Sequence, residues 1–356
     1  MLLRKRLIYA PITLRKNIME NQPSKQLKKF IIPLIAAIII IVSIVYYARI
    51  PKPPAVKLPP AKQSSSSNRN LTSGGKLEKH VLIVLEENTR YSDVIGNTKD
   101  MPYLNSLANT YAYAKNYYAN THPSIGNYFM LTAGNVITNN SSHTATVPDD
   151  NLVRHLVTAG KTWKEYSESL PSVGFTGSSA EPYDQDHTPL AFYSDVRDNP
   201  DQAKNLVPFS QFAADLAGNK LPDYSFIIPN SYDDADGCPP RLGEAGPPGG
   251  SCNKLAAADT WLMANIDPLL KNSNFNSPGG GLLIITFDES AKSDKQNGGG
   301  HAAWVVAGPD VKKGYVSDTL YQHENTLRFM AELLGLTSFP GKAAGAAGMN
   351  EFMAGN

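Results

Sequence analysis

The chain has 356 residues, 42% hydrophobic and 18% charged, which suits one large domain or two modest ones and is too apolar for a chain disordered throughout. Its formal charge of +1 hides a split: residues 1–78 carry 14 Lys and Arg against 2 acids, and the remainder carries 19 against 30, about −11. A uniformly basic face for nucleic acid is therefore not expected in the body of the protein.

In chain order, a basic segment comes first. Residues 1–29 hold eight Lys and Arg and one acid, Glu20, and residues 30–47, FIIPLIAAIIIIVSIVYY, hold no charge and close on a tyrosine pair. With its flanks this run is long enough to cross a bilayer core, and the basic side stays cytoplasmic. The expectation is a single-pass cell-membrane protein with a cytoplasmic segment (1–29), a transmembrane signal anchor (30–49) and an extracytoplasmic remainder. Secretion after signal cleavage is the alternative. Residues 50–77, Pro-rich and then Ser-rich, read as a linker. A globular domain is expected over 78–340 and a flexible tail over 341–356.

Within that domain, apolar strand-like runs recur at 81–85, 161–166, 224–228, 282–287 and 303–307. Helical patterns lie between and after them, at 102–111, 125–131, 150–159, 254–270 and 318–334. Strands alternating with helices predict an α/β fold with a largely parallel central sheet sandwiched by helices. No internal repeat is present. Cys238 and Cys252 flank a Pro/Gly-rich loop; in an oxidising compartment a disulfide is the economical reading, because the spacing matches no zinc pattern.

Two of the strands end in acids. HVLIVLEEN closes on Glu86, Glu87 and Asn88, and IITFDES closes on Asp288 and Glu289. Adjacent carboxylates resist desolvation unless a cation or several donors stand beside them. In an open parallel sheet ligands bind beyond the carboxyl ends of the strands, so both clusters are expected on one rim, where their oxygens suit a hard divalent ion and tolerate zinc. Solvated loop acids are the plainer reading of either cluster alone.

Between the clusters lies NTHPSIGNYFMLTAG. Pro123, Ser124 and a following helical run put Ser124 at a helix N-terminus, where free N–H groups and the dipole favour an anion. A serine there ordinarily caps the helix. A neighbouring metal would instead make it a nucleophile without a histidine base. The sequence His-Pro-Ser-Ile-Gly is not the Gly-x-Ser-x-Gly elbow of a Ser-His-Asp hydrolase.

Taken together, EEN, THPS, IIPN, TFDE, GGGH and YQHENTLR, in that order from about His80 to Leu336, resemble the bacterial phosphoesterase family of acid phosphatases and non-haemolytic phospholipases C, within the alkaline-phosphatase-like superfamily. The resemblance implies an alkaline-phosphatase-like fold and a metal-dependent phosphoester hydrolase working through a covalent phosphoserine. It implies Ser124 as nucleophile and metal ligand, with Glu87, Asn88, Asp288 and Glu289 completing a site for one divalent ion (Mg, Ca, Mn or Zn). His301, after three glycines that let the backbone approach closely, would reach a phosphoryl oxygen or the leaving group. Asn88 and His187 would contact substrate, a small phosphoester or a phospholipid. His122 and His323 read as structural, although His122 stands close enough to Ser124 to share its pocket. The stretch PNSYDDADGCP departs from the family pattern, and Asp233, Asp234 and Asp236 read either as ligand contacts or as a solvated turn. A sulfatase is disfavoured, since no Cys/Ser-x-Pro-x-Arg motif is present. A tethered phosphoglycerol transferase and a non-catalytic cation-binding module remain as alternatives.

Overall fold

The computed structural model describes residues 79–238 and 252–355. The expected anchor at 30–49 and linker at 50–77 lie outside the described residues, and among those described no helix is long and apolar enough to cross a membrane.

Eight strands form one sheet: β1 (His80–Glu86), β2 (Ala112–Tyr118), β3 (Trp163–Ser167), β4 (Leu206–Pro208), β5 (Tyr224–Ile228), β6 (Gly281–Phe287), β7 (Trp304–Ala307) and β8 (Tyr315–Gln322). Their order is β4-β3-β5-β1-β6-β7-β2-β8, and every pairing is parallel except the two made by β7. The sheet is thus largely parallel, as the alternating pattern predicts. Strands β1, β5 and β6 are unbroken runs of apolar and β-branched residues, buried along almost their whole length, so both faces of the sheet centre are covered.

Six helices concern the argument: α1 (Pro102–Thr110), α2 (Ser124–Ala133), α3 (Leu152–Thr158), α4 (Ser210–Ala217), α5 (Lys254–Lys271) and α6 (His323–Leu333). Helix α1 starts at a proline with no side-chain cap of its own, and Asp259 of α5 supplies the missing acceptors to the N–H groups of Tyr103 and Leu104, each at 2.8 Å. Helix α2 is buried at all ten positions.

Three expectations are corrected. The helical pattern at 318–334 divides: β8 continues to Gln322 and α6 begins at His323, where Gln322 and Asn325 exchange hydrogen bonds in a capping box. Strands β2 and β4 were not predicted; β2 carries Lys115 and Asn116 in its middle, and β4 has only three residues. The terminal residues, expected as a flexible tail, pack instead. Phe352 is fully buried against Trp304, Tyr315 and Tyr321, and Glu351 accepts hydrogen bonds from Tyr315, Ser317 and Tyr321. A few apolar side chains in a Gly/Ala-rich stretch are enough to strap the outer strand.

Glu165 of β3 carries a charge question of its own. It is fully buried and accepts the Leu190 N–H at 3.2 Å, and burial pushes its carboxyl up to about 8 from the ordinary 4.5. The folded state therefore retains a proton that the unfolded chain releases. The resulting penalty on the fold is absent below about pH 4.5, grows as pH rises, and is complete above about pH 8. Glu165→Gln is expected to raise Tm by several degrees at pH 9 and to leave it near wild type at pH 4, as read by thermal unfolding at the two pH values.

Candidate active site

Register brings the two acidic strand ends together. Strands β1 and β6 are adjacent and parallel, with Glu86 opposite Phe287, so the next residues, Glu87 and Asp288, emerge side by side. The backbone ties them: Asp288 N–H donates to the Glu86 carbonyl at 2.9 Å, and Asn88 N–H donates to Asp288 Oδ1 at 3.0 Å. Asn88 turns the chain here with φ of +45°, a left-handed conformation that asparagine tolerates better than most residues.

Ser124 opens α2 directly opposite. Its N-cap, Pro123, makes no side-chain cap bond, and the Ser124 hydroxyl does not cap the helix; it donates to Glu87 Oε2 at 3.0 Å. One turn on, at the i+4 position of the same helix face, Tyr128 Oη donates to Glu87 Oε1 at 2.6 Å. Asn88 Nδ2 donates to Glu87 Oε2 at 2.7 Å, and His187, stacked on Tyr128 with ring centroids 5.1 Å apart, places Nε2 3.5 Å from Glu87 Oε1. Glu87 is thus the hub of the site, and Ser124, Asn88, Asp288 and His187 gather around it. Tyr128 was not singled out in the sequence, although helical spacing from Ser124 was the available signal.

Glu289 lines the Ser124 cavity but directs its carboxylate to other partners, and His301 is placed elsewhere. Glu289 Oε1 stands 2.8 Å from His122 Nδ1, and its Oε2 accepts from Asn127 Nδ2 at 3.1 Å. The opposite ring nitrogen of His122 lies 2.7 Å from the Asp294 carbonyl. Glu289 therefore positions His122 and the loop before Ser124, and does not turn toward Glu87 and Asp288. His301 is stacked between Tyr91 and Tyr118, its Nε2 lies 2.7 Å from the Lys115 carbonyl, and it lines a different cavity with Arg90 and Asp294. The expected reach of His301 toward the Ser124 pocket is not made, because its ring is held on both faces and at one nitrogen.

The glycines before His301 do permit a close approach, but to the chain itself. A Cβ on Gly298 or Gly299 would stand 2.0 or 2.4 Å from the carbonyl of Asn120 or Thr121. The loop after β6 is thereby seated against the segment leading into Ser124, with Gly299 N–H donating to the Ala119 carbonyl and Ala119 N–H to the Gly300 carbonyl.

Burial and mutual repulsion disfavour negative charge on the carboxylates of this cluster. Burial pushes the Glu87 carboxyl well above the ordinary range, with Asp288 and Asp234 adding repulsion, and it pushes Asp288 up to about 7 and Glu289 to about 8. Asp288 Oδ2 is buried with no hydrogen-bond partner. Asp234 contributes through its backbone, its carbonyl accepting Glu87 N–H at 2.7 Å, while its carboxylate accepts from the N–H groups of Asp236 and Gly237. His323 is neutral, its imidazole lowered to about 4 by burial, and its Nε2 lies 2.6 Å from the Asp288 carbonyl. It is structural, as its position predicts.

Among the described residues no three His, Cys, Asp or Glu side chains stand together closely enough to cage a metal ion. The oxygen donors that converge are the Glu87 and Asp288 carboxylates and the Ser124 hydroxyl, while Asn88 turns its amide nitrogen to Glu87 Oε2. An all-oxygen set with one orphaned carboxylate oxygen fits a divalent cation that keeps further positions for substrate or water. The site opens into a cavity of about 690 Å³ lined by Asn88, His122, Ser124, Asp236, Glu289 and the lysines 254, 292 and 295. Cys238 and Cys252 are joined by a disulfide just beyond Asp236.

The sequence over residues 97–337 matches the profile of the phosphoesterase family. The chain belongs to the phosphoesterase family. The match covers Ser124, Asp288, Glu289 and His301 and begins after β1, so Glu87 and Asn88 of this phosphoesterase lie upstream of it. Its chemistry is hydrolysis of phosphoric esters. Among relatives, a phosphatidylinositol-3-phosphatase of Mycobacterium tuberculosis is 33% identical over 260 residues, 72% of this chain and 77% of that protein. A probable acid phosphatase of Kluyveromyces lactis is 31% identical over 265 residues, 71% of this chain and 57% of that one. An acid phosphatase of Aspergillus fumigatus is 31% identical over 261 residues, 71% and 54%. The phosphoesterase thus spans just over half the length of these two fungal proteins. Its fold is alkaline-phosphatase-like. A Vibrio parahaemolyticus protein in the alkaline phosphatase superfamily aligns with TM-score 0.50 at 14% identity, over 74% of this chain and 67% of that one. The PsFucS1 sulfatase from Pseudoalteromonas sp. aligns with TM-score 0.53 at 13% identity, over 78% and 72%.

Proposed function

We propose that the protein is a metal-dependent phosphomonoesterase with Ser124 as nucleophile and a covalent phosphoserine intermediate. The observation that carries the reading is the Ser124 hydroxyl at the start of α2, pointed at a buried carboxylate instead of capping its helix. The relatives are named as phosphatases, which favours monoesters over diesters.

A divalent cation on Glu87, Asp288 and Ser124 would supply the positive charge that stabilises an ionised serine and a phosphoryl oxygen. The rest follows from the chain's own groups. Glu87 Oε2 holds the Ser124 hydroxyl in aim; Ser124 releases its proton to solvent, and Oγ attacks phosphorus in line as the bond to the leaving oxygen breaks and that oxygen takes a proton from water. The free N–H groups at the start of α2 face the charge that builds on the phosphoryl oxygens. Tyr128 and Asn88 hold Glu87 in place through the transfer. Water then cleaves the Oγ–P bond and releases phosphate. The charge-free run at 30–47 supports an anchored, extracytoplasmic placement of the domain, within reach of phospholipid as well as soluble esters.

Hydrolysis of p-nitrophenyl phosphate and of bis-p-nitrophenyl phosphate tests the reading. The monoester is expected to be preferred. Treatment with chelator is expected to lower the rate at least tenfold, and added divalent cation to restore it. A rate indifferent to chelator, with the metal content of the protein verified as zero, would remove the metal from the mechanism.

A further inference from the structure

The described domain and its flanks carry an acid excess of about −11, on the counts of 19 basic and 30 acidic residues after residue 78, which by itself repels a phosphorylated substrate. The cavity above Ser124 sets basic groups among its acids, and its two acids, Asp236 and Glu289, are already engaged by Lys254 and His122. Three lysines line it: Lys254 at the start of α5, and Lys292 and Lys295 on the loop after β6. Lys254 is compensated, its Nζ lying 2.8 Å from Asp236 Oδ1. Lys292 and Lys295 are exposed, and among the described residues neither has an ion-pair partner at salt-bridge distance.

The loop that presents them is fixed by its own bonds. Asp294, between the two lysines, takes Ser290 Oγ and His301 N–H on Oδ2 and Gln296 N–H on Oδ1. Its carbonyl faces His122, and Ser293 accepts from Arg90. Lys292 and Lys295 therefore project from an ordered backbone at the mouth of the cavity, while Ser124, 7% exposed, lies at its floor. A phosphoryl group on Ser124 occupies the floor, so the two cations at the mouth stand beside whatever the phosphate is attached to.

We infer that Lys292 and Lys295 form a second anion subsite, which makes the enzyme prefer substrates bearing another phosphate or carboxylate near the scissile phosphate. This rests on the reading of Ser124 as the site of phosphoryl transfer. Two exposed cations contribute modestly each, and together they give a preference of about fivefold that high salt suppresses.

The test compares fructose 1,6-bisphosphate with fructose 6-phosphate. In the inert Ser124→Ala protein, calorimetric Kd values are expected to favour the bisphosphate by about fivefold. The preference is expected to fall to near unity when Lys292→Ala and Lys295→Ala are added, and to return with Lys292→Arg and Lys295→Arg. In the turnover-competent protein the ratio of the two kcat/KM values should follow the same pattern, and citrate as an added carboxylate competitor should lose potency with the lysines. A Kd ratio unchanged by removing both lysines overturns the subsite. So does equal weakening of both ligands, which would assign the lysines to the scissile phosphate. Binding is read without turnover, so a Ser124→Ala protein that still hydrolysed phosphoesters would sink the nucleophile reading and leave the subsite judged by the Kd ratio.

Discussion

Ser124→Ala is expected to lower p-nitrophenyl phosphate turnover by at least about 10³-fold, with no incorporation of phosphate into the protein on acid quench. The size of the effect follows from what the hydroxyl does. It makes no cap bond to α2, so its loss does not unpick the helix, and the nine following helical residues remain packed in the core. What disappears is the one nucleophilic atom aimed at Glu87 from a helix start. Far-UV circular dichroism and Tm should therefore stay close to wild type while turnover collapses. A variant that keeps more than a tenth of the wild-type rate would exclude a covalent phosphoserine, and attack by water would replace it.

The meeting of the two acidic strand ends is legible in the sequence, and the reason is topological. The runs VLIVL and LLIITF are apolar on both faces, which admits only central strands of a covered sheet. Once they are parallel neighbours, the acids that follow them must share a rim. What the pattern does not supply is side-chain direction. Asp288 and Glu289 are adjacent, and alternation alone sends them apart: Asp288 toward Glu87 and Asn88, Glu289 toward His122 and Asn127. The Gly-Gly-Gly-His stretch misleads for a related reason. Close approach is what its glycines provide, yet the surface approached is the Asn120–Thr121 backbone, information held in the far chain and absent from the local sequence. Edge strand β8 was missed because a half-exposed strand, YVSDTLYQ, running straight into an amphipathic helix offers no apolar block to mark it.

Asp288→Asn is expected to separate stability from activity. In the wild type, Asp288 and Glu87 are fully buried side by side, Asp288 Oδ2 has no hydrogen-bond partner, burial raises the proton affinity of both, and Asp288 adds repulsion on Glu87. Without a cation, this arrangement opposes folding through desolvation and mutual repulsion. Replacing one carboxylate by its isosteric amide removes a charge and gives the orphaned position a donor that can face Glu87, while Oδ1 still accepts from Asn88 N–H. In chelator at pH 8 the variant should therefore melt a few degrees above wild type. Added Mg²⁺, Mn²⁺, Ca²⁺ or Zn²⁺ should reverse the order, because a cation bound only by the native state stabilises the wild type by mass action and finds a weaker donor set in the variant. Turnover should fall by about 10²- to 10³-fold, since the amide cannot help hold the charge that keeps Ser124 ionised. A variant that melts lower than wild type in chelator and still gains stability from the cation would make Asp288 a structural acid, and the cation would have to be sought on other oxygens of the rim. The expected crossing of the two melting curves has no counterpart in a purely structural role, because a merely structural carboxylate has no reason to be costly alone and useful only with a cation.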